Sequence, residues 1–128
     1  MTTPLQADLL TRWFRVMDSD TPEQVLDFIT DDFQLAIVFS TGTGGTVSDF
    51  SGDRAALVSY LEQREVNTRT HIILSTSRVG DHEHVLGEVQ RQGGQYEASF
   101  TAAALLDESG HRVRRLLIGR SPGARFTD

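Results

Sequence analysis

The chain has 128 residues, a mass of 14.2 kDa, and 12 basic against 18 acidic side chains, a net charge of -6. It has no cysteine, which excludes disulfides and thiolate metal sites, and no lysine, which excludes Schiff-base catalysis. The longest apolar runs, Leu35–Phe39 and Ala102–Leu106, fall far short of the roughly 20 residues of a membrane span. An acidic chain without a basic cluster is a poor partner for nucleic acid or an anionic membrane. Met1-Thr2-Thr3-Pro4 lacks the basic and apolar regions of a signal peptide, so a cytoplasmic location is expected. The length predicts one domain, with a core from about residue 5 to 122.

Leu5, Leu9, Trp13 and Met17, widened by Leu10 and Phe14, form one apolar helix face, broken by Asp18-Ser19-Asp20. Thr21-Pro22-Glu23-Gln24 reads as the start of a second helix, with Thr21 as N-cap and Gln24 closing a capping box. That helix runs to about Ile29, and Thr30-Asp31-Asp32 ends it. Phe33 to Ser40 predicts a buried strand. Thr41 to Ser51, with Gly42, Gly44 and Gly45, predicts a flexible loop able to act as a lid. A third helix follows Gly52-Asp53-Arg54 and carries Leu57, Val58 and Leu61 inward to about Arg64.

From Thr70 the period becomes that of strands: His71–Val79, Glu83–Gln92, Gln95–Leu106 and Val113–Arg120. Gly80-Asp81, Gly93-Gly94 and Asp107–Gly110 are the turns, and Arg125–Asp128 a frayed tail. Helices followed by antiparallel strands predict an α+β domain, with three N-terminal helices packed on one face of the sheet.

The Gly93-Gly94 turn sets Gln90 opposite Glu97, Glu88 opposite Ser99 and Leu86 opposite Thr101, all on one face. The other face carries Val85, Gly87, Val89, Ala98, Phe100, Ala102 and Ala104. One face must pack on the helices. The Phe100 face, too apolar to be left wet, is assigned to a partner subunit. A one-residue slip would exchange the two faces.

The order of these segments resembles the cone-shaped, cystatin-like fold of the nuclear-transport-factor-2-like superfamily, in particular its SnoaL-like members. The likeness rests on the first two helices, Phe28-Ile29-Thr30-Asp31-Asp32-Phe33, Phe50-Ser51-Gly52-Asp53-Arg54-Ala55-Ala56-Leu57, His71 and Leu106-Asp107-Glu108-Ser109-Gly110. It implies a deep pocket inside a curved sheet and a homodimer through the sheet's outer face. It also implies either cofactor-independent proton-transfer chemistry on an apolar organic molecule (isomerisation, cyclisation or dehydration) or a non-catalytic binding or scaffolding role. The groups of the ketosteroid isomerase pattern are absent: Ile37, Trp13 and Ala102 or Ala103 stand where the resemblance would place its acids and tyrosine. Neither ketosteroid isomerase activity nor the epoxide hydrolase mechanism is expected.

The acid–base candidates are His71, at the expected pocket mouth with Ile73 and Ser75 on its face, and Glu88, mid-strand. Each also has a structural reading, a strand-end histidine and a solvated or interface carboxylate. Trp13, Phe14, Phe39, Tyr60, Ile73, Ser99 and Thr101 are the expected substrate contacts. His82-Glu83-His84, beside a strand carrying His71, offers imidazoles for zinc, but a solvated turn explains it better, and no metal or cofactor is expected. Neither a phosphate loop nor a Gly-x-Ser-x-Gly elbow is present. Strand alternation splits Arg112, Arg114, Arg115 and Arg120 between faces, where they can pair with Glu88, Glu97 or the acids of a partner subunit, or bind an anionic ligand.

Overall fold

The computed structural model describes residues 7–40, 47–65 and 68–128. Helix α1 spans Asp8–Met17, and a 3-10 helix spans Pro22–Phe28. Strands β1 (Ile29–Ser40) and β2 (Val47–Asp53) follow, then helix α2 (Arg54–Gln63). Strands β3 (Arg69–Val79), β4 (His82–Arg91), β5 (Tyr96–Leu106) and β6 (Val113–Ser121) complete the chain. The six strands form one curved sheet in the order β2-β1-β6-β5-β4-β3, antiparallel except where β1 runs parallel to β6. Among the described residues, no helix is long and apolar enough to cross a membrane.

The α+β class holds, but the helices are not all N-terminal: α2 follows β1 and β2. The second helix is 3-10, and Thr21 makes no side-chain cap. β1 extends back through Thr30-Asp31-Asp32. Val47–Ser51, expected as loop, lies in β2, which pairs with β1 at the sheet's edge. Ser48, Asp49 and Ser51 have little strand propensity, so the backbone ladder rather than side-chain pattern makes this strand. The remainder of the expected lid, 41–46, lies outside the described residues, as does Leu5.

α1 lays Leu9, Leu10, Trp13, Phe14 and Met17 on the sheet. They meet Phe33, Leu35 and Ile37 of β1, Val85 and Val89 of β4, Phe100 and Ala102 of β5, and Leu116 and Ile118 of β6. The Phe100 face is therefore the inner face, under the helices. This overturns its assignment to a partner subunit. Leu86, Glu88, Ser99 and Thr101 occupy the outer face instead.

Two bulges explain much of the difference. The pairings Glu88–Ser99 and Leu86–Thr101 are as expected, but Gln90 pairs with Tyr96 rather than Glu97, with a register shift after Val89. Arg91 N–H donates to the Gln95 carbonyl at 2.7 Å, so the loop is Gln92-Gly93-Gly94. Gly93 and Gly94 have φ of 95° and 84°, a left-handed pair that side-chain-bearing residues resist. Glu97 is the extra residue and turns inward beside Ala98. A second shift between Ile73 and Ser75 leaves Leu74 unpaired and moves Ser75, opposite Leu86, to the outer face.

Glu83 faces inward, 1% exposed, and accepts N–H groups of α1: Leu10 at 2.8 Å and Leu9 at 3.4 Å. α1 has no side-chain cap of its own, so a carboxylate from β4 satisfies its first turn. Flanking His82 and His84 are exposed on the outer face, opposite to His71. The three imidazoles cannot converge, and among the described residues no cluster of His, Asp or Glu could hold a metal ion. The tail is not frayed either: the Arg125 guanidinium lies 4.5 Å from the Tyr96 ring centroid, and Thr127 Oγ1 donates to Glu88 at 2.7 Å.

Candidate active site

Between the inner sheet face, α1 and α2 lies a cavity of about 790 Å³. Its deep wall is apolar: Trp13, Phe14 and Met17 of α1, Leu35 and Ile37 of β1, Leu57 of α2, Val89 and Phe100. Trp13 stacks on Phe33 at 6.0 Å, and Tyr60 leans on Phe50 at 5.2 Å. Gly87 makes room for Phe100, since a Cβ there would sit 2.6 Å from the ring and 2.5 Å from the Ile72 carbonyl oxygen.

His71 reaches this wall from β3. Its Nδ1 lies 2.7 Å from Asp18 Oδ1, and its backbone N–H donates to Asp18 Oδ2, also at 2.7 Å. Asp18 is the C-cap residue of α1, so the end of that helix grips the ring and the backbone of β3 with one carboxylate. The side chains are 12% and 15% exposed. The ring packs 4.9 Å from Phe14 and meets Phe100 edge-on at 5.3 Å. In the neutral imidazole the carboxylate fixes the proton on Nδ1 and leaves the Nε2 lone pair available. Nε2 has no hydrogen-bond partner among the described residues, and no buried unpartnered polar side-chain atom exists among them. Nε2 is therefore accessible, on a ring that lines the cavity. An oriented, accessible imidazole nitrogen can take and return a proton.

At the ends of the strands the wall turns polar. The Glu97 carboxylate accepts from Arg69 at 2.6 Å, Arg120 at 3.0 Å and Arg91 at 3.3 Å. Burial opposes ionisation of Glu97, but these guanidiniums, Arg69 first, hold its carboxyl below the ordinary value. Hydrogen bonding to Glu97 pushes Arg69 up, whereas burial pulls Arg120 down. Arg120 lies over the Phe39 ring at 5.1 Å. Arg64, also in the wall, donates to the Met17 carbonyl at 2.7 Å.

Of the expected site residues, the structure gathers His71, Trp13, Phe14, Phe39 and Tyr60 at the cavity. Ile73 packs against the adjoining core. Ser99 and Thr101 face outward, with Ser99 bonded to the Tyr96 hydroxyl at 2.9 Å. Glu88 also faces outward, pairing with Ile72 across β3 while His71 pairs with Val89. Its carboxylate, held low by Thr127 first and Gln90 second, is tied to the tail and does not share the cavity with His71. Asp18, Arg69, Arg91 and Glu97 were not singled out as site residues. Asp18 reads in sequence only as a helix breaker, and its partner is 53 residues away.

No family model matches the chain, and no curated protein matches it. Solved structures do share its fold. One from Agrobacterium tumefaciens, provisionally assigned as an isomerase of the SnoaL-like family, has a TM-score of 0.67 at 9% identity, covering 89% of this chain and 95% of its own. Another from Sinorhizobium meliloti, provisionally assigned as a polyketide cyclase, has a TM-score of 0.58 at 15% identity, covering 87% and 93%. An NTF2-like protein of unknown function from Cytophaga hutchinsonii has a TM-score of 0.60 at 10% identity, covering 95% and 96%. The chain thus has the NTF2-like cone fold that its sequence order suggests. At these identities the likeness concerns the fold, and function must be argued from the site.

Proposed function

We propose that the protein binds a small, mostly apolar organic molecule in the cone and that His71, oriented by Asp18, moves a proton on it without a cofactor. The observation that supports this most is a carboxylate-oriented imidazole, its side chain 12% exposed, against the apolar wall of a cavity. A volume near 790 Å³ falls within the roughly 300–1,000 Å³ of small-molecule sites. Nε2 takes a proton from carbon beside a carbonyl, and the electron pair of that C–H bond moves onto the carbonyl oxygen. The imidazolium formed is stabilised by Asp18 and returns the proton to another carbon, giving isomerisation, or to a departing hydroxyl, giving dehydration. Cyclisation begins with the same enolate.

The neighbours provisionally assigned as an isomerase and a polyketide cyclase agree with this reading. The test is deuterium exchange at the α-carbon of a neutral ketone such as 2-tetralone, followed by NMR. His71-dependent exchange supports it; exchange no faster than in buffer, or equal in His71→Ala, overturns it.

We also propose a homodimer through the outer face, where Leu117 of β6 is 56% exposed and Val38 of the neighbouring β1 is 41% exposed. Exposed apolar side chains spread over a sheet face support this reading.

A further inference from the structure

We propose that the arginines gathered on Glu97 form a subsite for the carboxylate of an anionic substrate, so that the molecule taken is an organic acid with an apolar skeleton. This rests on the cavity being the substrate site argued above.

Arg69, Arg91 and Arg120 share the single Glu97 carboxylate. Among the described wall residues, Arg64 adds a fourth positive charge and Glu65 a second negative one, which leaves a positive excess in a protein whose net charge is -6. All four line the cavity, with Arg91 at its exposed rim, its side chain 60% accessible. Arg120 is the informative member, only 20% exposed and on an aromatic ring, and it shares its one carboxylate, Glu97 at 3.0 Å, with two other guanidiniums. A guanidinium stays charged, and burying a charge is costly unless it is compensated. A carboxylate supplied by ligand provides that compensation, and guanidinium donors match its planar geometry.

The placement is directional. Arg69 and Arg91 are directly paired across β3 and β4, and the next inward pair is His71 and Val89. Arg69 therefore lies two residues from His71 on the same strand face, about 7 Å along the strand. A carboxylate held by the arginines leaves an apolar skeleton reaching past His71 toward Trp13 and Phe14, which decides which carbon meets Nε2.

The test is calorimetric titration at low salt with three probes of one skeleton: 2-naphthoate, 2-naphthalenemethanol and 2-naphthyl phosphate. 2-Naphthoate should bind at least about tenfold tighter than the alcohol, as charge-assisted hydrogen bonds imply. Arg69→Gln should remove most of that preference, weakening 2-naphthoate far more than the alcohol. Glu97→Gln, which removes the competing carboxylate, should strengthen 2-naphthoate binding. Should Arg69→Gln fail to fold, Arg91→Gln at the more exposed rim should narrow the preference. No binding of 2-naphthoate at millimolar concentration, equal binding of acid and alcohol, or tighter binding of the phosphate overturns the proposal. So does a loss in Arg69→Gln that is equal for acid and alcohol. A carboxylate preference without His71-dependent exchange of 2-tetralone overturns the catalytic reading alone. Exchange without the preference overturns the subsite alone.

Discussion

Asp18 and His71 are joined twice, side chain to side chain and side chain to backbone, each at 2.7 Å, so the end of α1 and the start of β3 are locked by one carboxylate. The ring can neither rotate freely nor choose its tautomer. We expect Asp18→Asn to retain the fold, since an amide oxygen still accepts from the His71 backbone. It should slow ketone exchange by about 100-fold, the scale of a lost acid–base contribution. NMR exchange rates beside circular dichroism check this. Unchanged exchange would show the pair to be structural.

Glu83 performs the complementary task at the other end of α1, accepting Leu10 N–H at 2.8 Å. Glu83→Ala leaves that donor buried and unpaired, with an expected loss of about 1–3 kcal/mol in urea unfolding. Glu83→Gln, which keeps an acceptor, should lose less. Equal losses in both would deny the hydrogen bond its role.

Much of this fold was legible. The strands from His71 onward carry turn glycines and β-branched runs, and their expected bounds differ from the observed ones by at most two residues. The site was less so, because side-chain faces depend on bulges that no periodicity announces. Glu97 faces inward only because one extra residue in β5 is absorbed there, and Ser75 faces outward because Leu74 is unpaired. The choice of inner face also turned on α1, whose Trp13 and Phe14 needed the Phe100 face beneath them. A dry apolar face looks the same in sequence whether a helix or a second subunit covers it.

The Glu97 carboxyl is held below its ordinary value of 4.5. A depressed folded value contributes stability above the unfolded value, which is lost as pH falls through the folded one. Stability should therefore drop on acidification below about pH 4.5. In Glu97→Gln that acid limb should be shallower, and the stability at neutral pH lower. Urea unfolding from pH 3 to 7 measures it, and parallel curves for the two proteins would show that Glu97 carries none of the pH dependence.

The outer face yields a separate expectation. Leu117→Asp places a charge where Val38 and Leu86 are exposed or half-buried, so it should dissociate a dimer without unfolding the chain. Light scattering at micromolar concentration should find about twice 14.2 kDa for the native chain and 14.2 kDa for the variant. A native protein that scatters as a monomer rejects the interface.

Gly87 links packing to chemistry. Its inner-face position lies directly across from Phe100, whose ring fills the space a Cβ would take and meets the His71 ring edge-on. The Ile72 carbonyl oxygen, only 2.5 Å from that Cβ position, is backbone and cannot swing aside, so Phe100 and the strand must both give. Gly87→Ala should cost about 1–3 kcal/mol by overpacking. It should also displace Phe100 from His71, loosening the apolar wall on that side of the imidazole, and slow ketone exchange. Gly119→Ala is the control: a Cβ there meets only Thr101 Oγ1, at 4.0 Å, so stability and exchange should both hold. If Gly87→Ala unfolds more easily yet exchanges ketone protons at the native rate, Phe100 does not shape the acid–base site. If both variants behave alike, the close approach of Gly87 to Phe100 is not what the strand requires.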